Sequence, residues 1–165
     1  MMIRTAKLLL LSGVAFFFTL VAFNNLTDYH SNAQFVHHVL LMDTTFHGNA
    51  AMWRAISSPA IERVFYFTII AWELVTAVLL WWGILRLLRV LHQPAAAFNA
   101  AKFLPVLGLT LSGLLWLVAF LCVGGEWFLM WQSPSWNGQE AAFRNFAAFG
   151  IVFLILLQPE TDAQV

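Results

Sequence analysis

The residue most suited to chemistry is Glu73, the one charged side chain in the apolar run from Val64 to Leu85. A carboxylate inside a hydrocarbon core costs ~2.5–3.5 kcal/mol on insertion scales, so such groups are rare and usually face other helices or a water-filled cavity. On a helical wheel, Tyr66 and Thr76 share the face of Glu73. Three interpretations stay open: a proton or cation relay, a contact to a partner subunit, or a protonated carboxyl bonded to neighbouring helices.

The depth of Glu73 in its helix indicates which side chains could contact it. Counting inward from the outer boundary at ~1.5 Å per residue places Ser12 and Ser112 near the same depth in the neighbouring helices. No predicted span contains a lysine, arginine or histidine at that depth. We therefore expect Glu73 to be uncharged at neutral pH and to form a hydrogen bond with a serine inside the bundle.

The histidines before the second apolar run are the other group that could do chemistry. His37, His38 and His47 lie in one polar segment with Asp28 and Asp43, and imidazoles with carboxylates can bind Zn²⁺ or Cu²⁺. However, no pair has the i, i+4 spacing of ligands on one helix face, and adjacent histidines point to different faces. We predict no metal and no cofactor, and keep these histidines as the candidates if a metal site exists.

The composition predicts a membrane protein. Of the 165 residues, 61% are hydrophobic and 10% are charged, whereas an ordinary globular domain is about 25% charged. The formal net charge of +0 gives no reason to expect a nucleic-acid partner. No phosphate-binding glycine loop or nucleophile elbow is present, and no histidine lies in a predicted span to ligate a membrane haem.

Four apolar runs predict an all-α protein, an integral membrane four-helix bundle formed by one domain. We expect the helices to cover residues of about 5–24, 59–89, 103–123 and 138–157. The polar character of residues 25–57 predicts a long, partly helical first external loop. Asn24 and Asn25 are expected at the solvent-exposed end of the first helix. Tryptophans are expected to anchor the membrane interfaces, namely Trp53, Trp81, Trp82, Trp127, Trp131 and Trp136.

The basic residues predict the orientation of the chain. Four alternating helices place most of them on one side, and the positive-inside rule assigns that side to the cytoplasm. We therefore expect a multi-pass protein of the inner membrane with both termini in the cytoplasm. The cytoplasmic group is Arg4, Lys7, Arg86, Arg89 and Lys102, and the outer group is Arg54, Arg63 and Arg144.

Two stretches and one pair of residues resemble a known family. The stretches are ISSPAIERVFYF, which leads into the second helix, and WNGQEAAFRNF, which begins the fourth; the pair is Glu73 beside Trp72. Together with the helix layout they resemble small bacterial integral membrane proteins described as a domain of unknown function. The resemblance covers nearly the whole chain and implies a bacterial inner membrane, but it implies no catalytic or binding residues.

Three classes of function remain for such a protein. The first prediction is a non-catalytic accessory or assembly subunit of a larger membrane complex, which contacts the lipid bilayer and either a membrane-protein partner or a second copy of itself. The alternatives are a small ion- or proton-coupled transporter that uses Glu73, and a metal-binding membrane protein or enzyme that uses the outer-loop histidines. The absence of recognisable catalytic motifs favours the first.

Overall fold

The computed structural model describes residues 1–161, and this part of the chain is all-helical without strands. Four of its helices are long and apolar enough to cross a membrane, which confirms the predicted all-α class. Residues 162–165 lie outside the described part, and with them the C-terminus that we expect in the cytoplasm. The four candidate spans are Met2–Thr27, Pro59–Arg89, Ala95–Trp127 and Gln139–Leu157.

The helices are numbered here in chain order. The third candidate span consists of two α-helices followed by a wider helix with i→i+5 hydrogen bonds, which we call the π-segment. Short 3₁₀ turns lie before α3 and before α6. The bounds are α1 Met2–Thr27, α2 Tyr29–Leu41, α3 Pro59–Arg89, α4 Ala95–Ala100, α5 Phe103–Leu114, the π-segment Leu115–Trp127 and α6 Gln139–Leu157.

Helix α3 is the central element, because α1 packs along one side of it and α5 along another. Its start follows from local chemistry: Ser58 has extended backbone, Pro59 occupies the first helical position and Glu62 lies in the positive first turn. Its last turn contains Arg86 and Arg89, whose charges complement the carboxyl end of the helix dipole. At ~1.5 Å per residue its 31 residues span roughly 46 Å, which exceeds a bilayer core of ~30 Å.

Helices α1 and α3 run antiparallel in a register that two hydrogen bonds define. Trp81 Nε1 donates to Thr19 Oγ1 over 3.0 Å, and Asn25 Nδ2 donates to Glu73 Oε2 over 2.7 Å. A residue of α1 therefore lies opposite a residue of α3 when their two residue numbers add up to about 100. This register places the carboxyl-terminal end of α1 beside Glu73, while the first turns of α3 extend beyond α1 and pack against α2.

Helices α3 and α5 approach each other closely at two glycines. A Cβ added at Gly83 would overlap the ring of Pro105, and one added at Gly108 would overlap the side chain of Leu80. Small residues at such contacts allow helix backbones to come together, which is how membrane helices gain packing energy. The contact therefore uses one glycine from each helix, Gly83 on α3 and Gly108 on α5.

One end of the molecule, which we call the basic end, joins the beginning of α1 to the segment after α6. Lys7 Nζ lies 2.6 Å from Glu160 Oε1, and the Nζ atoms of Lys7 and Lys102 each donate to the Gln158 carbonyl oxygen over 2.7 Å. Arg4 Nε lies 3.7 Å from Glu160 Oε2. Three of the five basic residues that we assign to the cytoplasmic side therefore lie together at this end.

Candidate functional site

The candidate site is a polar network centred on Glu73, whose side chain is buried between helices. Asn25 donates from Nδ2 to Glu73 Oε2, and Asn32 donates from Nδ2 to Asn25 Oδ1 over 2.6 Å. The Tyr66 hydroxyl donates to the same Asn25 Oδ1 over 3.3 Å. Because two donors occupy Oδ1, the amide of Asn25 can only present its NH₂ group to Glu73. The network therefore holds one carboxylate oxygen in a defined position.

The burial of Asn25 contradicts the sequence-based prediction, which placed this residue at the solvent-exposed end of the first helix. The residue is 3% exposed and lies in the last turns of α1, where α2 turns back over it. Asn32 in α2 is exposed to the outside, so the network links a surface amide to a buried carboxylate through one intermediate residue. Asn25 is thus buried because α2 packs over it, although its side chain is polar.

The expected hydrogen bond between Glu73 and a serine is wrong. Ser12 Oγ donates to the Leu8 carbonyl oxygen within its own helix, and Ser112 Oγ is buried without a partner among the described residues. Thr76, which shares the face of Glu73, donates to its own helix. The depth count failed because α1 extends past Phe23, so Ser12 lies roughly 20 Å along α1 from the level of Glu73 at ~1.5 Å per residue.

A cavity of about 210 Å³ lies beside the network. It is lined by Asn25, Asn32, Tyr66 and Glu73 together with Trp116 of the π-segment. The side chain of Trp116 is buried, and its Nε1 has no hydrogen-bond partner among the described residues. The π-helical geometry is rare and occurs frequently at functional sites. The cavity is thus a mostly apolar site with a few polar groups, and residues of α1, α2, α3, the π-segment and α6 line it.

The histidines do not converge on one point. His37 Nδ1 lies 2.8 Å from Glu62 Oε2, whereas His38 Nδ1 lies 2.7 Å from Asp43 Oδ2. Among residues 1–161, no group of three or more potential metal ligands lies together, and His47 is exposed. Each of the first two histidines therefore engages its own carboxylate, and the pair of His37 and Glu62 ties α2 to the first turn of α3.

Several tryptophans make ring contacts at the end of the molecule opposite the basic end. Arg54 lies over the rings of Trp53 and Trp127, at 5.3 and 4.8 Å from their centroids. Trp131 packs edge-on against Phe46. The remaining tryptophans expected at interfaces are Trp136, which stacks on His38, and Trp81 and Trp82, which are exposed on α3. Their role as interface anchors stays a prediction.

Sequence reasoning missed Asn25, Asn32 and the cavity face of Trp116. The signal for Asn25 was available in principle, because an α1 extended to Thr27 in antiparallel register places it opposite Glu73. The other two residues had no such signal, since their position depends on how α2 and the π-segment pack.

Comparison with known proteins agrees with this architecture. A family model described as "predicted small integral membrane protein (DUF2165)" matches residues 3–159, nearly the whole chain. No significant match was found among curated proteins or among solved structures. The match confirms the family resemblance drawn from the sequence. With four candidate spans and a family match over this length, the chain belongs to the predicted small integral membrane proteins of family DUF2165.

Proposed function

We propose that this chain is a small ion- or proton-coupled transporter of a bacterial inner membrane, in which Glu73 carries the transported charge. One observation carries the proposal: Asn25 holds one oxygen of a buried carboxylate, and the other oxygen accepts no hydrogen bond from the described residues. That carboxylate lines a cavity. Ionisable groups placed in this way inside membrane helices mark ion and proton pathways.

The chemistry of the site favours exchange of a proton for a cation. A buried carboxylate is costly as an unpaired charge, but it is neutral with a proton and forms a neutral pair with a monovalent cation. When a cation enters, the carboxyl O–H bond breaks and one proton leaves, so charge at the site balances. The exposed amide of Asn32 indicates the outer side of the site, and Tyr66 and Asn25 keep the carboxylate aligned.

Proton movement in vesicles tests this proposal. The purified chain is reconstituted in liposomes that contain a pH-sensitive dye, and outward gradients of Na⁺, K⁺ or tetramethylammonium are imposed in turn. We expect at least one gradient to drive protons in the opposite direction. Glu73→Gln should abolish this movement because an amide cannot release a proton. Glu126→Gln, which alters an exposed carboxylate outside the cavity, should leave it unchanged.

Two results would remove the transport proposal. The first is proton movement no greater than in protein-free liposomes under every gradient. The second is a Glu73→Gln variant that moves protons as fast as the unaltered chain.

The second candidate function is the accessory or assembly subunit that the sequence favours. A groove of about 480 Å³ between α5 and α6 supports it. The groove contains Gly113, Ala147 and Gly150, and nothing lies within 4 Å of a Cβ placed at Gly150. Small residues in an open groove let another membrane helix approach closely. A helix of a membrane-protein partner, or of a second copy, would fit this surface.

Affinity purification in mild detergent tests the second candidate. We expect a stoichiometric partner or a dimer for the unaltered chain, and its loss in Gly150→Leu, because a leucine fills the groove. Gly13→Leu is the matched control, since Gly13 also has open space around its Cβ position but lies on α1. A monomeric, partner-free protein would argue against an accessory role.

A further inference from the structure

We infer that the cavity beside Glu73 binds a compact organic ammonium ion that also carries a hydrogen-bond acceptor. This inference rests on the proposed function in one respect, because it uses Glu73 as the cation-binding group. It goes further by assigning the chemical class of the ligand from the walls of the cavity.

Two polar atoms of the site lack partners. Trp116 Nε1 is a fully buried atom that donates no hydrogen bond to the described residues. Glu73 Oε1 accepts none from them either, although only its side chain as a whole, at 2% exposed, counts as buried. Buried polar groups in proteins are nearly always hydrogen-bonded. Both side chains line the same cavity. A ligand that satisfies both must supply a donor or a cation to Glu73 and an acceptor to Trp116.

The charge of the cavity selects a cation. No lysine, arginine or histidine is among the residues that line it, so the carboxylate of Glu73 is the only group there that can carry a negative charge at neutral pH, and nothing opposes it. An ionised amine bonded to a carboxylate forms a charge-assisted hydrogen bond, roughly twice as strong as a neutral one. An acidic ligand would instead meet a like charge.

The aromatic walls select an organic cation over a bare metal ion. Phe35, Tyr66, Trp116 and Phe120 contribute rings to the lining, and ring faces attract ammonium groups while they also cover an apolar body. Hard metal ions prefer six or more oxygen ligands. The cavity cannot supply such a set, because few of its lining side chains carry oxygen atoms and Asn25 Oδ1 already accepts two hydrogen bonds.

The volume limits the size of the ligand. A cavity of ~150 Å³ accommodates one benzene ring, so about 210 Å³ accommodates one ring with a short side chain. A second, apolar cavity of about 60 Å³ shares Phe35 and Phe120 with the first and extends towards Met130. The apolar part of the ligand therefore has space away from Glu73.

Equilibrium binding to the full-length chain in lipid nanodiscs tests the inference. Tyramine is the probe, because it has an ammonium group, one ring and a hydroxyl that can accept a hydrogen bond. Tyrosol, in which a hydroxyl replaces the ammonium group, is the matched neutral ligand. Bound ligand is measured by dialysis, and the indole N–H signal of Trp116 is followed by NMR. Thermal midpoints confirm that each variant is folded.

We expect saturable tyramine binding, weaker binding of tyrosol, and a shifted Trp116 signal. Glu73→Gln should lower the affinity for tyramine about ten- to hundredfold, because a charge-assisted hydrogen bond is lost. Trp116→Phe, which keeps a ring but removes the donor, should lower it about two- to tenfold. Trp82→Phe, on the exposed face of α3, should leave the affinity unchanged.

The inference is overturned if tyrosol binds as tightly as tyramine, if Glu73→Gln and Trp116→Phe both bind tyramine like the unaltered chain, or if no saturable binding occurs. Tyramine binding without proton movement in vesicles would support this site while removing the transport function. Proton exchange against Na⁺ with no tyramine binding would overturn this site while the transport function stands.

Discussion

At the scale of single residues, Asn25 decides how Glu73 can act. It occupies one carboxylate oxygen and is itself fixed by Asn32 and Tyr66. The second oxygen is left available to the cavity. A carboxylate fully enclosed by donors would be a structural group, whereas one held from a single side is positioned to exchange ligands. Whether Glu73 is uncharged at neutral pH, as the sequence indicates, stays a prediction.

Replacing Asn25 by alanine should reduce stability. A hydrogen bond between membrane helices averages ~0.6 kcal/mol, but this change removes the partner of two buried groups, the Glu73 carboxylate and the Tyr66 hydroxyl, so a loss of ~1–3 kcal/mol is expected. Unfolding by SDS titration in mixed micelles measures it. Asn24→Ala is the control, because Asn24 lies in the same turn as Asn25 but its side chain is exposed. Equal stability of the two variants would show that the network contributes nothing.

At the scale of elements, the contact between α3 and α5 depends on the absence of a side chain at Gly83. In Gly83→Ala the new methyl group would overlap the Pro105 ring, and the helices would have to separate. Overpacking of this kind typically costs ~1–3 kcal/mol. We expect a lower thermal midpoint by circular dichroism in detergent.

The control for Gly83→Ala is Gly13→Ala, where the added methyl group meets nothing within 4 Å. Alanine favours helix over glycine by ~0.8–1 kcal/mol, so this variant should be unchanged or slightly more stable. If both alanine variants lose stability to the same extent, the close approach of α3 and α5 is not what Gly83 provides.

Local chemistry in the sequence accounts for the helices better than for their packing. Pro59, Glu62 and the arginines of the last turn mark the ends of α3, because backbone restriction and charge act within one turn. The π-segment could not be foreseen, since the apolar run from Phe103 to Val123 contains no residue that distinguishes i→i+4 from i→i+5 bonding. The partner of Glu73 was missed because the register of α1 and α3 depends on non-local contacts.

At the scale of the whole molecule, the two ends differ in chemistry. Lysines and an arginine gather with Glu160 at the basic end, and paired tryptophans gather with Arg54 at the other. Positive charge accumulates on the cytoplasmic side of membrane proteins. This asymmetry supports the proposed orientation, in which α2 and the cavity network lie towards the outer side.

Reporter fusions test the orientation directly. Alkaline phosphatase fused after residues 45 and 130 should be active, because both positions lie in outer loops of the proposed topology. Fusions after residues 95 and 165 should be inactive, since those positions are assigned to the cytoplasm. Phosphatase activity at either of the last two positions would contradict the proposed topology.

The ion pair of Lys7 and Glu160 has a consequence for biosynthesis. The two residues are 153 positions apart. At ~5–20 residues per second, the ribosome therefore adds Glu160 to the chain roughly 8–30 s after Lys7. During that interval α1 has already been synthesised, but its buried lysine lacks the carboxylate that compensates it. The first helix can therefore insert early, yet Lys7 can pair with its carboxylate only after α6 and the residues that follow it have been made.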